Sequence, residues 1–253
     1  MKKVLVIGIG AGDPEHVTVQ AIRALNEADA FFVLDKGAGK EDLAALREEI
    51  CRRFVDDPAY RTIHRTDPER RLRDGSYQAD VAAWHAQRLD LYQGLIADEL
   101  ADGEAGAFLV WGDPALYDST LRILDQVAES GEVAFTVEVV PGISSVQVLA
   151  ARFGLALHGV GAPVRITTGR LLAQGWPEGA DDVVVMLDGS CSFTALDPTG
   201  LDIWWGAYLG TPDEILVSGP LADRSEEIQR VRAEARARKG WMFDTYLLRR
   251  RAG

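Results

Sequence analysis

The sequence predicts an α/β protein built from two α/β domains of the type whose active site lies in the cleft between them. Three apolar strand patterns in the first half each stop at a Gly- and Pro-containing loop that leads into a helical pattern. After about residue 157 the turn signals come closer together than β-α-β crossovers permit, which indicates antiparallel pairing. The chain of 253 residues, 47% hydrophobic, is long enough for two such cores.

Composition excludes several classes of function. The formal net charge of −12 argues against non-specific nucleic-acid binding, because phosphate backbones attract basic surfaces. Cys51 and Cys191 lie far apart and neither belongs to a CxxC pair, so we expect neither a disulfide nor a metal site. Neither a bilayer-spanning apolar run nor a signal-peptide pattern is present, and we expect a cytoplasmic protein without a membrane partner.

The first strand is predicted over residues 3–9 and opens into the glycine loop GIGAGDP at 8–14. Asp13 is expected to cap the following helix, and Pro14 suits its first turn. A dinucleotide-binding loop is the obvious alternative, since glycines after a first strand often receive a pyrophosphate. The spacing disfavours it, because the glycines follow GxGxG rather than GxGxxG.

The second strand, over residues 30–34, ends at Asp35. A carboxylate at this position can hold a ribose hydroxyl or act as a base, and the alternative is a loop residue that caps the helix predicted from Glu41 to Phe54. The segment 55–75 is rich in arginine, which on so acidic a chain favours either an anionic substrate or a solvated loop. Helix patterns then fill residues 76–100.

The stretch AFLVWGDPALY at 107–117 predicts a buried strand that breaks into a tight loop. Gly112 permits close backbone approach and Pro114 prevents further ladder pairing. Open α/β sheets bind ligands at the carboxyl ends of their strands, so this loop is a predicted ligand site. A helix start follows at residues 118–120.

Another strand, at 135–140, opens onto Pro141-Gly142-Ile143-Ser144-Ser145 and a further helix start. Strands are then expected at 164–168, 183–187, 203–209 and 241–248, with a helix at 225–239. We place the domain boundary soon after the central loop, giving an N-terminal domain over 1–115 with a helical, Arg-rich insertion. The C-terminal domain, 116–253, is expected to contain a mixed sheet.

Six motifs, taken in order along the chain, resemble the tetrapyrrole (corrin and sirohaem) methyltransferases. They are GIGAGDP at 8–14, Asp35 after the second strand, WGDPALY at 111–117, VPGISS at 140–145, VVVMLDG at 183–189 and YLGTPDE at 208–214. The resemblance implies a homodimer and S-adenosyl-L-methionine as cofactor, with S-adenosyl-L-homocysteine as its product. The subgroup it is most similar to acts in aerobic cobalamin biosynthesis, methylating precorrin-5 at C1 and releasing acetate.

The resemblance also implies roles for individual residues. Those matched to cofactor contacts are Ala11, Trp111, Gly112, Asp113, Leu116, Ser144, Ser145, Met186 and Gly210. Ala11 replaces a proline common in the family, and Trp111 replaces a common glycine. Asp35 matches a proposed base, ahead of Asp113 and Tyr117, which local capping or hydrogen bonding could also explain. The substrate carries many carboxylates, and Arg65, Arg70, Arg71, Arg152 and Arg170 are the arginines suggested to meet them.

Three alternatives stay open at this point. One is a sister methyltransferase that acts at another position of the macrocycle. The second is a nicotinamide-dependent reductase, which would use the first glycine loop but leave GDPALY and VPGISS without a role. The third is a non-catalytic tetrapyrrole carrier, which would need no cofactor loop.

Overall fold

The computed structural model describes residues 1–35, 41–68 and 77–251. Two compact units divide the chain: the first contains Met1–Gly10 and Pro14–Ile143, and the second contains Ala11–Asp13 and Ser144–Gly253. Within the described ranges, no helix is both long and apolar enough to cross a membrane.

The first unit alternates strands and helices. Its elements are β1 (Lys2–Gly8), α1 (Val19–Glu27), β2 (Ala30–Asp35), α2 (Glu41–Phe54), β3 (Arg61–Thr66), α3 (Tyr77–Glu99), β4 (Ala105–Val110), α4 (Thr120–Ser130) and β5 (Phe135–Val140). The strands form a sheet in the order β3-β2-β4-β1-β5, and each neighbouring pair is parallel. Parallel strands with helical crossovers bring their carboxyl ends to one edge.

Continuous apolar strands explain why this sheet is covered on both faces. Every residue of β4 is buried, as are the last five residues of β1. One face packs against α3 and α4 and the other against α1 and α2, giving two cores that share the central strands. The predicted helix from Glu41 to Phe54 is present, and the pattern over 76–100 forms the single helix α3.

The second unit has a mixed sheet, as its closely spaced turns predict. Its elements are α5 (Ser145–Phe153), β6 (Val164–Thr168), α6 (Gly169–Leu172), β7 (Asp182–Met186), β8 (Leu201–Ala207), β9 (Ile215–Pro220), α7 (Leu221–Lys239) and β10 (Asp244–Arg250). The order is β6-β7-β10-β8-β9, in which β6 and β7 are parallel and the remaining pairs antiparallel.

The structure corrects three local expectations. The first unit extends to Ile143 rather than ending at residue 115, because β5 pairs with β1 along its length. The Arg-rich segment contains the edge strand β3, in which Ile63 is the one buried residue. An edge strand has a neighbour on one side only and can expose most of its side chains, so it needs little apolar sequence. Thr18, not Asp13, caps α1 by accepting a hydrogen bond from the Ala21 amide at 3.0 Å.

Candidate functional site

Three backbone segments meet closely at the carboxyl edge of the first sheet. A methyl group added to Gly142 would lie 2.1 Å from the Gly112 carbonyl oxygen, and one added to Gly8 would lie 2.5 Å from the Gly142 amide nitrogen. Gly10 and Gly112 also exchange backbone hydrogen bonds, of 2.8 and 3.4 Å. The loops after β1, β4 and β5 therefore pack backbone against backbone, which only glycine allows at these positions.

Asp113 joins two of these loops. Its Oδ2 accepts a hydrogen bond of 2.9 Å from the Gly142 amide, and its Oδ1 accepts one of 2.8 Å from the Ala115 amide. Each oxygen thus satisfies a backbone donor in a part of the chain that has no regular ladder partner. The Asp113 carboxylate therefore fixes the conformation of the central loop.

The far end of the central loop is held by a buried cation. Arg88, on α3, donates a hydrogen bond of 2.8 Å to the Ser119 hydroxyl, immediately before α4. Its guanidinium pairs with Asp67 at 2.9 Å, and both side chains are less than a tenth exposed. Between these anchors, Tyr117 has a left-handed backbone with φ of 54° and is 45% exposed.

The second unit brings together another set of the predicted residues. The short segment 11–13 packs on the loop after β8, since a methyl group on Gly12 would lie 2.6 Å from the Leu209 carbonyl oxygen. In the same loop the Gly210 amide donates to Glu214 at 2.7 Å. Glu214 in turn pairs with Arg152 at 2.8 Å. Arg152, a predicted substrate contact, therefore supports the Gly210 loop through Glu214.

Ser144, Ser145 and Met186 also lie in this unit. Ser144 is the N-cap of α5, with a capping box formed with Gln147, as the helix-start pattern predicts. The Ser145 hydroxyl is 2.8 Å from that of Thr245 on β10, and Thr245 is the register partner of Met186 on β7. The start of α5 and the end of β7 are thus linked through one residue of the central strand.

Strained backbone conformations cluster beside the predicted cofactor contacts. Among the described residues other than glycine, four have a left-handed φ: Tyr117, Leu187, Cys191 and Tyr208. Tyr117 follows Leu116, Leu187 follows Met186, and Tyr208 lies two residues before Gly210. Large side chains rarely adopt this conformation, and strained residues concentrate at ligand sites where the surrounding structure holds them in place. These three residues lie within the motifs WGDPALY, VVVMLDG and YLGTPDE, and the structure thus adds a backbone feature to each of them.

A buried polar network adjoins Met186. Asp188 is 3% exposed and accepts hydrogen bonds from the Tyr246 hydroxyl at 2.6 Å and the Ser192 amide at 2.6 Å. Burial acts to raise the pKa of Asp188, but the bonds from Tyr246, Ser190 and Ser192 outweigh it and lower the pKa below its ordinary value. Burial raises the pKa of Tyr246, so this phenol is a neutral donor.

The remaining candidates are dispersed. Asp35 is the last residue of β2, at the expected carboxyl end and in register with Thr66 of β3. Arg65, on the edge strand, forms an ion pair with Glu99. Arg170 is exposed on α6. Arg70 and Arg71 lie outside the described residues.

Sequence reasoning missed Arg88, Asp188 and Tyr246. Asp188 stands inside the VVVMLDG motif, so the motif contained a signal, but nothing local to it reveals the partner 58 residues away on β10. Arg88 lies on a helix face where a lone arginine is ordinarily solvated. Within the described part of the chain, His, Cys, Asp and Glu side chains form no cluster of three or more suited to a metal ion.

Residues 3–224 match the family model of the Tetrapyrrole (Corrin/Porphyrin) Methylases. The chain is 50% identical over 252 residues to a precorrin-6A synthase [deacetylating] of Sinorhizobium sp, covering 100% of this chain and 97% of that protein. Its fold superposes on a cobalamin synthesis related protein (CobF) of Corynebacterium diphtheriae with a TM-score of 0.87, at 38% identity and full coverage of both chains. A uroporphyrin-III C-methyl transferase of Thermus thermophilus, complexed with S-adenyl homocysteine, shares the fold at 20% identity, with a TM-score of 0.58 and coverage of 97% of this chain and 91% of that one.

Proposed function

The chain belongs to the tetrapyrrole (corrin/porphyrin) methylases, and we propose that it is an S-adenosyl-L-methionine-dependent C-methyltransferase of aerobic cobalamin biosynthesis. Its reaction is the methylation of precorrin-5 at C1 with release of acetate, which gives precorrin-6A. The observation that carries this assignment is the 50% identity over the whole chain to the deacetylating precorrin-6A synthase of Sinorhizobium sp.

The residues proposed to bind the cofactor are those that the family resemblance implies. They are Ala11, Trp111, Gly112, Asp113, Leu116, Ser144, Ser145, Met186 and Gly210. Two observations support this set. Close glycine packing fixes the loops that contain several of these residues, and left-handed residues lie beside Leu116, Met186 and Gly210 in the sequence. The side chains of Asp113, Ser144 and Ser145 already have partners within the protein. We therefore assign their contribution to fixing the loops whose backbone contacts the cofactor.

When bound, S-adenosyl-L-methionine supplies an electrophilic methyl group, and the chain must hold the nucleophilic ring carbon in line with it. Rigid positioning provides most of the acceleration in such a transfer. The interlocked loops of Gly8, Gly112 and Gly142 suit this role because a close-packed backbone resists displacement. Asp35 is proposed to take a proton from the substrate or orient the water that releases acetate. Arg65, Arg70, Arg71, Arg152 and Arg170 remain the proposed carboxylate contacts, with Arg152 acting also through Glu214.

The decisive experiment incubates the purified protein with precorrin-5 and S-adenosyl-L-methionine carrying a ¹³C-methyl group. We expect S-adenosyl-L-homocysteine, acetate and a product whose labelled methyl group NMR locates at C1. In H₂¹⁸O the acetate should gain one ¹⁸O atom if water cleaves the acetyl group. A labelled methyl group at another ring carbon, without acetate, would instead identify a sister methyltransferase. Calorimetric titration with NADPH tests the reductase alternative. A reductase should bind NADPH and should not bind S-adenosyl-L-homocysteine.

The role of Asp35 is tested by Asp35→Asn. We expect the affinity for S-adenosyl-L-homocysteine to be retained and product formation to fall by about a hundredfold, within the range typical of a lost general base. Asp125→Asn is the matched control, because it makes the same charge change at an exposed position of α4 in the same unit. Turnover of Asp35→Asn equal to that of Asp125→Asn would remove Asp35 from catalysis.

Two further proposals concern the state of the protein in the cell. The family resemblance supports a homodimer, which light scattering coupled to gel filtration tests directly through the particle mass. We also propose that the enzyme acts in the cytoplasm, where fractionation of cells that produce it should recover the protein and its methyltransferase activity.

A further inference from the structure

Asp188 occupies the centre of a buried network directly after the end of β7. Its Oδ1 accepts hydrogen bonds from the Ser190 amide at 3.0 Å and the Ser192 hydroxyl at 2.9 Å. Its Oδ2 accepts from the Ser192 amide and the Tyr246 hydroxyl, both at 2.6 Å. These bonds fill the acceptor capacity of the carboxylate, and every donor is held by the fold.

The main chain of Asp188 is also fixed. Its carbonyl oxygen accepts a hydrogen bond of 2.6 Å from Arg232 on α7, and Arg232 is itself paired with the buried Asp244 at 2.8 Å. Gly169, the first residue of α6 and next after β6, packs so closely that an added methyl group would lie 2.4 Å from the Asp188 carboxyl carbon. One residue thus ties together the ends of β6 and β7, strand β10 and helix α7.

The segments on each side of Asp188 adopt conformations that they would not adopt unaided. Leu187 has a φ of 52° and Cys191 a φ of 56°, both left-handed and neither glycine. Leu187 nevertheless leaves its side chain 59% exposed, so burial of that side chain does not compensate for the strain. The hydrogen bonds to Asp188 are the interactions that hold this turn.

We propose that Asp188 is a positioning residue for the cofactor: its buried carboxylate holds the turn after β7 so that Met186 and Leu187 are presented to S-adenosyl-L-methionine. The inference rests on the proposed function, which assigns Met186 to the cofactor. It adds to that assignment a residue that touches neither cofactor nor substrate, with Tyr246 as its hydrogen-bond donor from β10.

The other end of the same strand offers a control. Asp182 begins β7, is also 3% exposed, and forms an ion pair with Arg249 of β10. Asp182→Asn and Asp188→Asn therefore make the same chemical change at equal burial near opposite ends of β7, and each aspartate is bonded to a residue of β10. Both should destabilise the protein, but only the second lies beside Met186.

The charge state of Asp188 gives a second readout. The groups that face it are Tyr246 on β10, Arg232 on α7, Cys191 in the following turn and Asp244 at the start of β10. Removing the Tyr246 hydroxyl takes away the largest interaction that lowers the pKa of Asp188. In Tyr246→Phe the carboxylate should therefore take up its proton at a higher pH than in the wild type.

The test measures S-adenosyl-L-homocysteine binding by calorimetry from pH 8 down to the lowest pH at which each protein stays folded, and steady-state methylation of precorrin-5. The proteins compared are the wild type, Asp188→Asn, Tyr246→Phe and Asp182→Asn. For Asp188→Asn and Tyr246→Phe we expect the Kd for S-adenosyl-L-homocysteine and the KM for S-adenosyl-L-methionine to rise about tenfold, with kcat changed less. As the pH is lowered, the affinity of Tyr246→Phe for S-adenosyl-L-homocysteine should begin to fall at a higher pH than that of the wild type. Asp182→Asn should keep the wild-type Kd and pH profile.

A Kd and pH profile in Tyr246→Phe equal to those of the wild type would overturn the inference while leaving the proposed function intact. Equal weakening of binding in Asp182→Asn would also overturn it, because the effect would then follow stability alone. Failure of the wild-type protein to bind S-adenosyl-L-homocysteine is a different result, and it would contradict the proposed function itself. Should Asp188→Asn fail to fold, Tyr246→Phe, which preserves the ring, carries the test.

Discussion

Replacing Gly142 by alanine tests whether the interlocked loops of the first unit are the rigid base of the site. The added methyl group would lie 2.1 Å from the Gly112 carbonyl oxygen and 2.8 Å from the main chain of Gly8. Neither Gly142 nor Gly8 has a left-handed φ, so the effect is steric and not a matter of backbone preference.

The size of the effect follows from what would have to move. The clashing atoms belong to the main chain of Gly8, the last residue of β1, and of Gly112, in the loop after β4. Strand β1 can shift little because it is paired with a neighbouring strand on both sides. Overpacking of a core lowers the free energy of unfolding by about 1–3 kcal/mol when side chains can adjust. Main-chain atoms can adjust less than side chains, so we expect a loss of about 3 kcal/mol. For a domain of this size that lowers Tm by roughly 6–12 °C.

Gly94→Ala is the matched control. Gly94 lies inside α3 of the same unit, and its added methyl group would meet only an Asp98 carboxylate oxygen, at an ordinary 3.7 Å. The same chemical change should here raise stability by up to about 1 kcal/mol, because alanine favours a helix interior. The two glycines thus give opposite signs for one substitution.

Thermal unfolding followed by circular dichroism measures both changes, and titration with S-adenosyl-L-homocysteine measures their effect on the site. We expect Gly142→Ala to weaken binding at a temperature where the protein is still folded, and Gly94→Ala to leave binding unchanged. A Tm for Gly142→Ala within about one degree of the wild type would refute the steric reasoning, since so small a shift corresponds to well under 1 kcal/mol.

Three other predictions concern the polar contacts. Asp113→Ala leaves the Gly142 and Ala115 amides without their acceptor and should lower the free energy of unfolding by about 1–3 kcal/mol in urea, whereas Asp113→Asn, which keeps one acceptor, should lose less. Arg232→Met removes the partner of the buried Asp244 and should lower the free energy of unfolding in urea by about 3–5 kcal/mol. Adding Asp244→Asn in the same chain removes the unpaired charge and should recover part of that stability. The folded-state pKa of Asp188 lies below its ordinary value of 3.8, so the ionised carboxylate stabilises the fold above that pH. This contribution to stability is lost as the pH falls through the folded-state pKa. Because Tyr246→Phe raises that pKa, its acid-unfolding midpoint should lie at a higher pH than that of the wild type.

Local patterns predict the strands and loops of the first unit well where burial is high. The strands β1, β2 and β4 are recognisable because a strand covered on both faces must be apolar along its length. The edge strand β3 gives no such signal, since five of its six side chains are exposed. Its pairing with β2 is decided by the neighbouring strand and not by its own residues.

The domain boundary shows the same limit. Pairing between β1 and β5 joins residues more than 130 positions apart, and no local signal near residue 115 reveals it. The segment 11–13 likewise belongs to the second unit only through its packing on the loop at 208–211. Contacts of this separation depend on how whole elements pack, which periodicity cannot report.

The sequence by itself determined the α/β class, the glycine loops at the carboxyl edge of the first sheet and the family, because glycine loops after buried strands and six ordered motifs are local features. Only the tertiary structure shows which of the predicted residues have side-chain partners that hold loops in place. Asp113 and Arg152 prove to be engaged in holding loops, and Asp188 with Tyr246 forms a network that no single segment contains. The physical reason is that a buried polar group is defined by its partners, and those partners come from distant parts of the chain.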